Sequence, residues 1–296
     1  MTWEETREFL SPCFPEHIRS ELELLQPGEL REIRIRADRA TVFVTSSRTA
    51  LLDWQPGQRQ LEAVVEALSG HSLYAREDET AHGFITLEGG HRMGLCGRIV
   101  TQGSQRAMAD IGSICIRIAA QWPGAADRLL RVTGSSAAVL VIGPPGSGKT
   151  TLLRDLARQL STGRNARQVA VIDERGELGA CLCGVPQLDL GSSDVLDGLP
   201  RTEAVPWLVR SMAPEVIVTD ELAGREDAAC LLDASASGVA VCASIHGRNL
   251  HDAAARPAGA ELMARRIFSH YAVLAPEGGG RIIALHDQSG SPLPLP

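Results

Sequence analysis

The chain contains Gly143-Pro144-Pro145-Gly146-Ser147-Gly148-Lys149-Thr150, an octapeptide that fits the phosphate-binding pattern G-x-x-x-x-G-K-[ST]. Its glycines let backbone N–H groups turn inward around a phosphate chain, where a Cβ atom would clash. Lys149 offers a compact positive charge to the β- and γ-phosphates, and Thr150 offers a hydroxyl to Mg²⁺. We therefore expect the octapeptide, together with Thr151 behind it, to bind ATP and Mg²⁺.

Lys149 is the single lysine among 29 basic side chains, and all the others are arginine. Arginine is too large and planar for the last position of such a loop. The chain thus uses lysine only where the pattern requires it. One lysine also disfavours a GTPase, because a base-reading Asn-Lys-x-Asp segment would need a second one.

Around the loop, short apolar runs alternate with helical patterns, as in a parallel α/β sheet. The apolar run 137–142 leads directly into the loop. We predict further strands over 168–172, 215–219 and 239–245, helices over 202–212 and 226–237, a loop over 184–200 and a terminal hairpin around Gly278-Gly279-Gly280. Residues 125–296 are therefore expected to form an α/β domain.

The first 121 residues follow a different pattern, with alternating strands and a helix that is apolar on one face. We predict strands at 33–35, 42–44, 84–87, 92–100 and 113–119 and a helix over 59–69. This pattern indicates a smaller N-terminal α+β domain. Its boundary is expected near Gln121-Trp122-Pro123-Gly124.

Composition narrows the class of protein. The 296 residues are 44% hydrophobic and 22% charged, which is typical of a folded chain with real cores. The longest apolar run is too short for a membrane helix, and the acidic start Met1–Glu5 is unlike a signal peptide. Seven scattered cysteines indicate reduced thiols, and Cys181-x-Cys183 lacks the further ligands of a zinc site. We expect a cytoplasmic protein.

Acidic residues and a histidine follow the predicted strands of the α/β domain. Because ligands bind beyond the carboxyl ends of parallel strands, these residues are expected to meet at the phosphate loop. Asp220 is suited to hold Mg²⁺ through water, and Glu221 to deprotonate the attacking water. Asp173 and Glu174 end another strand, and Glu174 is the alternative base. His246 is a candidate sensor of the γ-phosphate.

The order of these motifs resembles the secretion-type ATPases of type II and type IV secretion and of pilus motion. Within that superfamily, several segments are similar to the stage III sporulation protein AA family. They are Leu30–Arg36, Gly83–Thr86, Gly90-His91-Arg92, Ile172–Leu178, Asp194–Gly198 and Arg210–Ile217. The similarity extends over nearly the whole chain.

The resemblance implies a RecA-like P-loop ATPase domain with nucleotide held between it and the N-terminal domain. It also implies a homo-oligomer, expected to be a hexameric ring, that acts in the mother cell at a secretion-like channel to the forespore. Membrane proteins of that channel would be its partners, so the protein would lie at the membrane through them. N-domain arginines reach the γ-phosphate in such relatives, and the candidates here are Arg92, Arg98 and Arg117.

Two other classes of function remain open. The first is a scaffold that binds nucleotide and assembles but scarcely hydrolyses it. The second is a RecA-like enzyme stimulated by nucleic acid, which a net charge of −7 and few aromatic residues disfavour. We therefore expect no nucleic-acid partner.

Overall fold

The computed structural model describes residues 1–70, 80, 83–102, 105–135 and 138–295. The chain divides into two compact units, Met1–Ala120 (unit 1) and Gln121–Pro296 (unit 2). Each unit contains its own sheet and its own apolar core. The first residue of the predicted strand 137–142, and residue 296 of the predicted α/β domain, lie outside the described residues.

Unit 1 contains a six-stranded antiparallel sheet of order β3-β2-β1-β6-β5-β4. Its described α-helices are α1 (Trp3–Leu10), α2 (Glu16–Glu23) and α3 (Gln58–Ser69). Its strands are β1 (Leu30–Arg36), β2 (Val42–Thr45), β3 (Thr49–Leu51), β4 (Phe84–Thr86), β5 (Arg92–Gln102) and β6 (Gln105–Arg117).

The core of unit 1 follows from its sequence periodicity. Ile33 and Ile35 of β1 are fully buried, whereas the arginines between and beside them are not. Helix α3 buries Leu61, Val64, Val65 and Leu68 along one face. Strand β5 ends two residues beyond the predicted 100, and β6 begins at Gln105 instead of at 113. Residues 97–101 of β5 are exposed, so burial leaves no pattern there. Backbone pairing continues through two register irregularities.

Unit 2 contains an eight-stranded sheet of order β14-β13-β12-β7-β11-β10-β8-β9. Its strands are β7 (Val139–Gly143), β8 (Val169–Asp173), β9 (Asp194–Asp197), β10 (Val216–Leu222), β11 (Ala240–His246), β12 (His270–Leu274), β13 (Ile282–Asp287) and β14 (Pro292–Leu293). All neighbours from β12 to β9 are parallel, and β13 and β14 pair antiparallel at the other edge.

Helices cover both faces of this sheet. The described ones are α4 (Asp127–Thr133), α5 (Lys149–Leu160), α6 (Arg201–Ser211), α7 (Arg225–Ala236), α8 (Leu250–Ala254) and α9 (Pro257–Ala264). Val139 and Val141 pack with α4 and α5, whereas Leu140 and Ile142 pack with α6, α7 and α9. Successive residues of β7 thus pack into the cores on opposite faces of the sheet, which explains why the strand is apolar throughout.

Two local predictions in unit 2 were wrong. The predicted loop 184–200 contains β9, a four-residue strand that pairs with β8 at the edge of the sheet. The helix predicted over 202–212 begins one residue earlier, at Arg201, with Pro200 at the N-cap. Among the described residues, no helix is long and apolar enough to cross a bilayer.

Candidate functional site

The carboxyl ends of four parallel strands bring the predicted site residues of unit 2 to one edge of the sheet. Gly143, at the end of β7, is the register partner of His246 at the end of β11. Glu221 of β10 pairs with Ser244 of β11, and Asp173 ends β8 on the other side of β10. Strand order therefore places the loop, the histidine and the acids side by side.

The phosphate loop runs from β7 to helix α5, which begins at Lys149. Gly148, at φ 96°, is the N-cap residue of α5 and has no side chain to accept a hydrogen bond from the first amide groups of the helix. Those amide groups are therefore available to another partner. The hydroxyl of Ser147 is buried and makes no hydrogen bond in this structure. A buried orphan hydroxyl and an uncapped helix start fit a loop that surrounds a phosphate chain.

Lys149 is only 6% exposed, and its amine has three partners. It donates to the carbonyls of Gly143 at 3.0 Å and Pro144 at 2.9 Å, and it lies 3.1 Å from Nδ1 of His246. Burial lowers the pKa of Lys149, while the carboxylates of Glu221 and Asp220 act in the opposite direction. The amine is thus a desolvated charge at the mouth of the loop.

His246 joins Lys149 to Glu221. Its Nε2 lies 2.6 Å from Oε1 of Glu221, while its Nδ1 faces the lysine amine. Because the amine donates to Nδ1, the imidazole proton resides on Nε2 and is donated to the carboxylate. Glu221 is about one-quarter exposed, and its other oxygen lies 3.8 Å from the Arg175 guanidinium.

Asp220 occupies a bulge in β10, because the register with β11 shifts between Thr219 and Glu221. Its carboxylate is 9% exposed and accepts from the Glu221 amide and the Ser244 hydroxyl. Burial raises the pKa of Asp220, and the nearby carboxylates of Asp173 and Glu221 add to this. Such a carboxylate gains from a cation, so Asp220 and the Thr150 hydroxyl fit Mg²⁺.

Mg²⁺ usually takes few protein ligands, since it keeps several waters and binds the phosphates of its substrate. In the described part of the chain, no cluster of three or more His, Cys, Asp or Glu capable of holding a metal occurs. The oxygen atoms of Asp220 and Thr150 are of the type that Mg²⁺ prefers.

The carboxylates of Asp173 and Glu174 accept hydrogen bonds from nearby backbone amides. Asp173 is fully buried, and its carboxylate accepts backbone N–H groups from Glu177, Leu178 and Gly179. Glu174 accepts a hydrogen bond from the amide of Arg201. The first therefore shapes the turn after β8, and the second fixes the start of α6.

Arg201 is a central residue of the site that the sequence did not indicate. Its side chain is 3% exposed and lies beneath the end of β10. The guanidinium pairs with Asp227 at 2.8 Å and with Glu174 at 3.7 Å, and its Nε donates to the Thr219 hydroxyl at 2.7 Å. It also donates to the carbonyls of Asp220 and Glu221. One arginine thus supports the backbone that carries both predicted acids.

The three candidate arginines of unit 1 do not form one cluster. Arg92 and Arg117 are directly opposite on β5 and β6, so their side chains share a face of the sheet. Arg92 lies over the Phe84 ring, 4.2 Å from its centroid. Arg98 is six residues further along β5, about 20 Å away. It forms an exposed ion pair of 2.6 Å with Asp110.

Comparison with known sequences gives a match to a family profile described as "Sporulation stage III, protein AA", over residues 5–293. The chain is also 38% identical over 282 residues to "Stage III sporulation protein AA" of Bacillus subtilis (strain 168). That alignment covers 93% of this chain and 92% of the Bacillus protein. The resemblance inferred from the sequence segments is confirmed.

Comparison with solved structures identifies an ATPase and a pilus motor with a similar fold. The Legionella pneumophila ATPase DotB aligns with a TM-score of 0.57 at 16% identity, covering 97% of this chain and 81% of DotB. The pilus retraction motor PilT, solved with bound ADP, aligns with a TM-score of 0.60 at 15% identity, covering 87% and 76%. These likenesses confirm the predicted α/β fold with a RecA-like P-loop domain.

Proposed function

Because the chain belongs to the stage III sporulation protein AA family, we propose that it is an ATPase that energises a secretion-like channel between mother cell and forespore. One observation carries the proposal above all others. The buried Lys149 amine at the mouth of the phosphate loop is joined through His246 to the Glu221 carboxylate. A phosphate-binding charge and a general base thus share one hydrogen-bonded unit at the edge of the sheet.

In this proposal, the loop from Gly143 to Thr150 and the adjacent Thr151 hold the triphosphate. Lys149 binds its β- and γ-phosphates, and Asp220 and Thr150 hold Mg²⁺, the former through water. The Mg²⁺ ion would supply charge neutralisation to the phosphates. Glu221 is the base that accepts a proton from the attacking water, since it is the more accessible carboxylate of β10.

Glu174 is the weaker candidate for the base. Its carboxylate is engaged by the Arg201 amide and faces the Arg201 guanidinium, which favours a positioning role. His246 is suited to couple the phosphates to the base, because each of its ring nitrogens faces one of the two groups. Any shift of the lysine amine toward a ligand therefore alters the hydrogen bonding of Glu221.

The proposal extends to assembly and place of action. We expect a homo-oligomer, a hexameric ring in keeping with secretion ATPases, in which N-domain arginines approach the nucleotide. Its site of action would be the mother-cell cytoplasm, at the membrane through protein partners of the channel. The support comes from family membership and from likeness in fold to DotB and PilT, the latter a motor solved with ADP.

The direct test is ATP hydrolysis per protomer measured over a wide range of protein concentration, with Lys149→Ala as the inactive control. A motor that completes its sites on assembly gains activity per protomer as concentration rises. We expect that rise for the wild type and none for Lys149→Ala. Tight ATP binding with flat, minimal hydrolysis in the assembled protein would instead indicate a nucleotide-gated scaffold.

A further inference from the structure

The turn between β12 and β13 lies against the phosphate loop. Strand β12 is the parallel neighbour of β7, so both strands end at the same edge of the sheet. Strand β13 returns antiparallel to β12, and the turn must therefore pass beside the loop that follows β7. It contains Gly278-Gly279-Gly280, all with positive φ between 70° and 84°.

Two of these glycines face the loop, and the third does not. The amide of Gly280 donates to the Ser147 carbonyl at 3.0 Å. A Cβ atom added at Gly278 would lie 3.1 Å from the Gly146 carbonyl oxygen, which is tighter than ordinary contact. One added at Gly279 would meet nothing within 4 Å. The approach is closer still from the loop side, since a Cβ at Gly148 would lie 2.4 Å from the Gly280 nitrogen.

The two carbonyls next to the turn belong to peptide units whose N–H groups are those of Ser147 and Gly148. A trans peptide is planar, so its carbonyl and its N–H point in opposite directions and tilt together. Contact on the carbonyl side therefore sets the direction of amides that belong to the phosphate-binding pattern. The turn makes this contact through its backbone, and a Cβ atom at Gly278 would crowd the Gly146 carbonyl oxygen.

We propose that Gly278-Gly279-Gly280 is a positioning element for the nucleotide's phosphates, which holds the amides of the phosphate loop in their binding direction. This inference rests on the proposed function, because it assigns the turn to the same nucleotide site. The chemistry concerned is that of the polyphosphate chain and not of the base. The turn acts through the loop and does not itself react.

The test compares Gly278→Ala with Gly279→Ala. Both residues have positive φ, at 84° and 75°, so both substitutions strain the backbone similarly, but only the first reaches the loop. Affinity for Mg-ATP and for Mg-tripolyphosphate is measured by calorimetry, alongside thermal unfolding. Since sub-ångström misplacement of binding groups is costly, we expect Gly278→Ala to weaken both ligands about tenfold and Gly279→Ala by less than about twofold.

The unfolding temperatures of the two variants should fall by similar amounts, which a merely structural role would also produce. A merely structural role would not produce a difference in ligand affinity between the two variants. If strain unfolds the alanine variants, Gly278→Asn and Gly279→Asn repeat the comparison with a residue that tolerates positive φ. Equal affinities in the matched pair would overturn this inference alone. Failure of the wild type to bind either ligand would contradict the proposed function and, with it, the role of the turn.

Discussion

The two units differ in the kind of side chain they bury. In unit 2, the buried charged residues are Lys149, Asp155, Asp173, Arg201 and Asp220. Among the described side chains of unit 1, no Lys, Arg, Asp or Glu is buried, and His91 is the one buried imidazole. Unit 2 therefore buries charged side chains, whereas the described arginines of the antiparallel sheet in unit 1 are at least partly exposed.

This difference has a physical consequence. A buried charge is costly unless hydrogen bonds and opposite charges surround it, and those of unit 2 have such partners. Their geometry is therefore set before a ligand arrives, as chemistry at a fixed position requires. Exposed arginines of unit 1 are solvated and can change partners at little cost. The fixed, buried charges therefore lie in unit 2, the unit that contains the phosphate loop.

The largest effect is expected from removing the base of unit 2. Glu221→Gln should retain ATP binding and lose hydrolysis by about a thousandfold, because an amide cannot accept the proton of the attacking water. Single-turnover phosphate release and ATP binding measure the two properties separately. Glu174→Gln is the matched control and should lose less than about tenfold. Normal release by Glu221→Gln would assign the base to Glu174 instead.

Arg201→Gln should have the next largest effect, since it leaves Asp227 and Glu174 without their buried partner. We expect a free energy of unfolding lower by about 3 kcal/mol and a turnover lower by about a hundredfold, with ATP affinity nearly unchanged. Arg210→Gln, on the exposed face of the same helix, should change neither property. A loss of affinity equal to the loss of turnover would refute a role confined to positioning the acids.

In unit 1, we expect Arg117 to matter more than Arg98. The two side chains are equally exposed, at 67% and 69%, but Arg98 is 2.6 Å from its acid and Arg117 is 3.8 Å from Glu32. Arg117→Ala should lower the turnover of the assembled protein about tenfold, because its looser charge beside Arg92 suits a phosphate. Arg98→Ala serves as the control. A larger loss of turnover in Arg98→Ala than in Arg117→Ala would contradict this expectation.

The smallest expected effect is a pH dependence of the stability of unit 1, caused by its buried histidine. Burial lowers the pKa of His91 to about 4 from an ordinary value of 6.5, and the charged N-terminus contributes. Between these values the unfolded chain binds a proton that folded unit 1 excludes, so stability falls as the pH falls. From about pH 7 to about pH 5.5 the loss should be about 1 kcal/mol. Chemical unfolding at both pH values should show this slope in the wild type and a flatter one in His91→Gln.

The sequence predicted the features of the site that depend on local pattern. The phosphate loop, the acids at the ends of β8 and β10, and His246 at the end of β11 each follow an apolar run, and the carboxyl ends of parallel strands lie at one edge of the sheet. The segment β9 was missed because it is only four residues long and its two apolar residues are flanked by aspartates, so its pairing with β8 left no clear pattern in the sequence.

Non-local features could not be predicted in this way. An arginine at the start of a helix is ordinarily solvated, so nothing indicated that Arg201 lies beneath β10. The glycine turn was predicted as a hairpin, but its contact with the phosphate loop depends on β12 pairing beside β7. Position in the sheet, which no single segment encodes, determines both contacts. The N-domain arginines stay a prediction for the same reason.

Every role proposed for unit 2 requires that the loop ending in Lys149 binds a nucleoside triphosphate. Calorimetric titration of the full chain with Mg-ATP tests it most directly, with Lys149→Ala titrated under the same conditions. We expect saturable binding by the wild type and none by Lys149→Ala, while the two proteins unfold cooperatively at similar temperatures. Absence of binding by the folded wild type, or equal binding by both proteins, would contradict it.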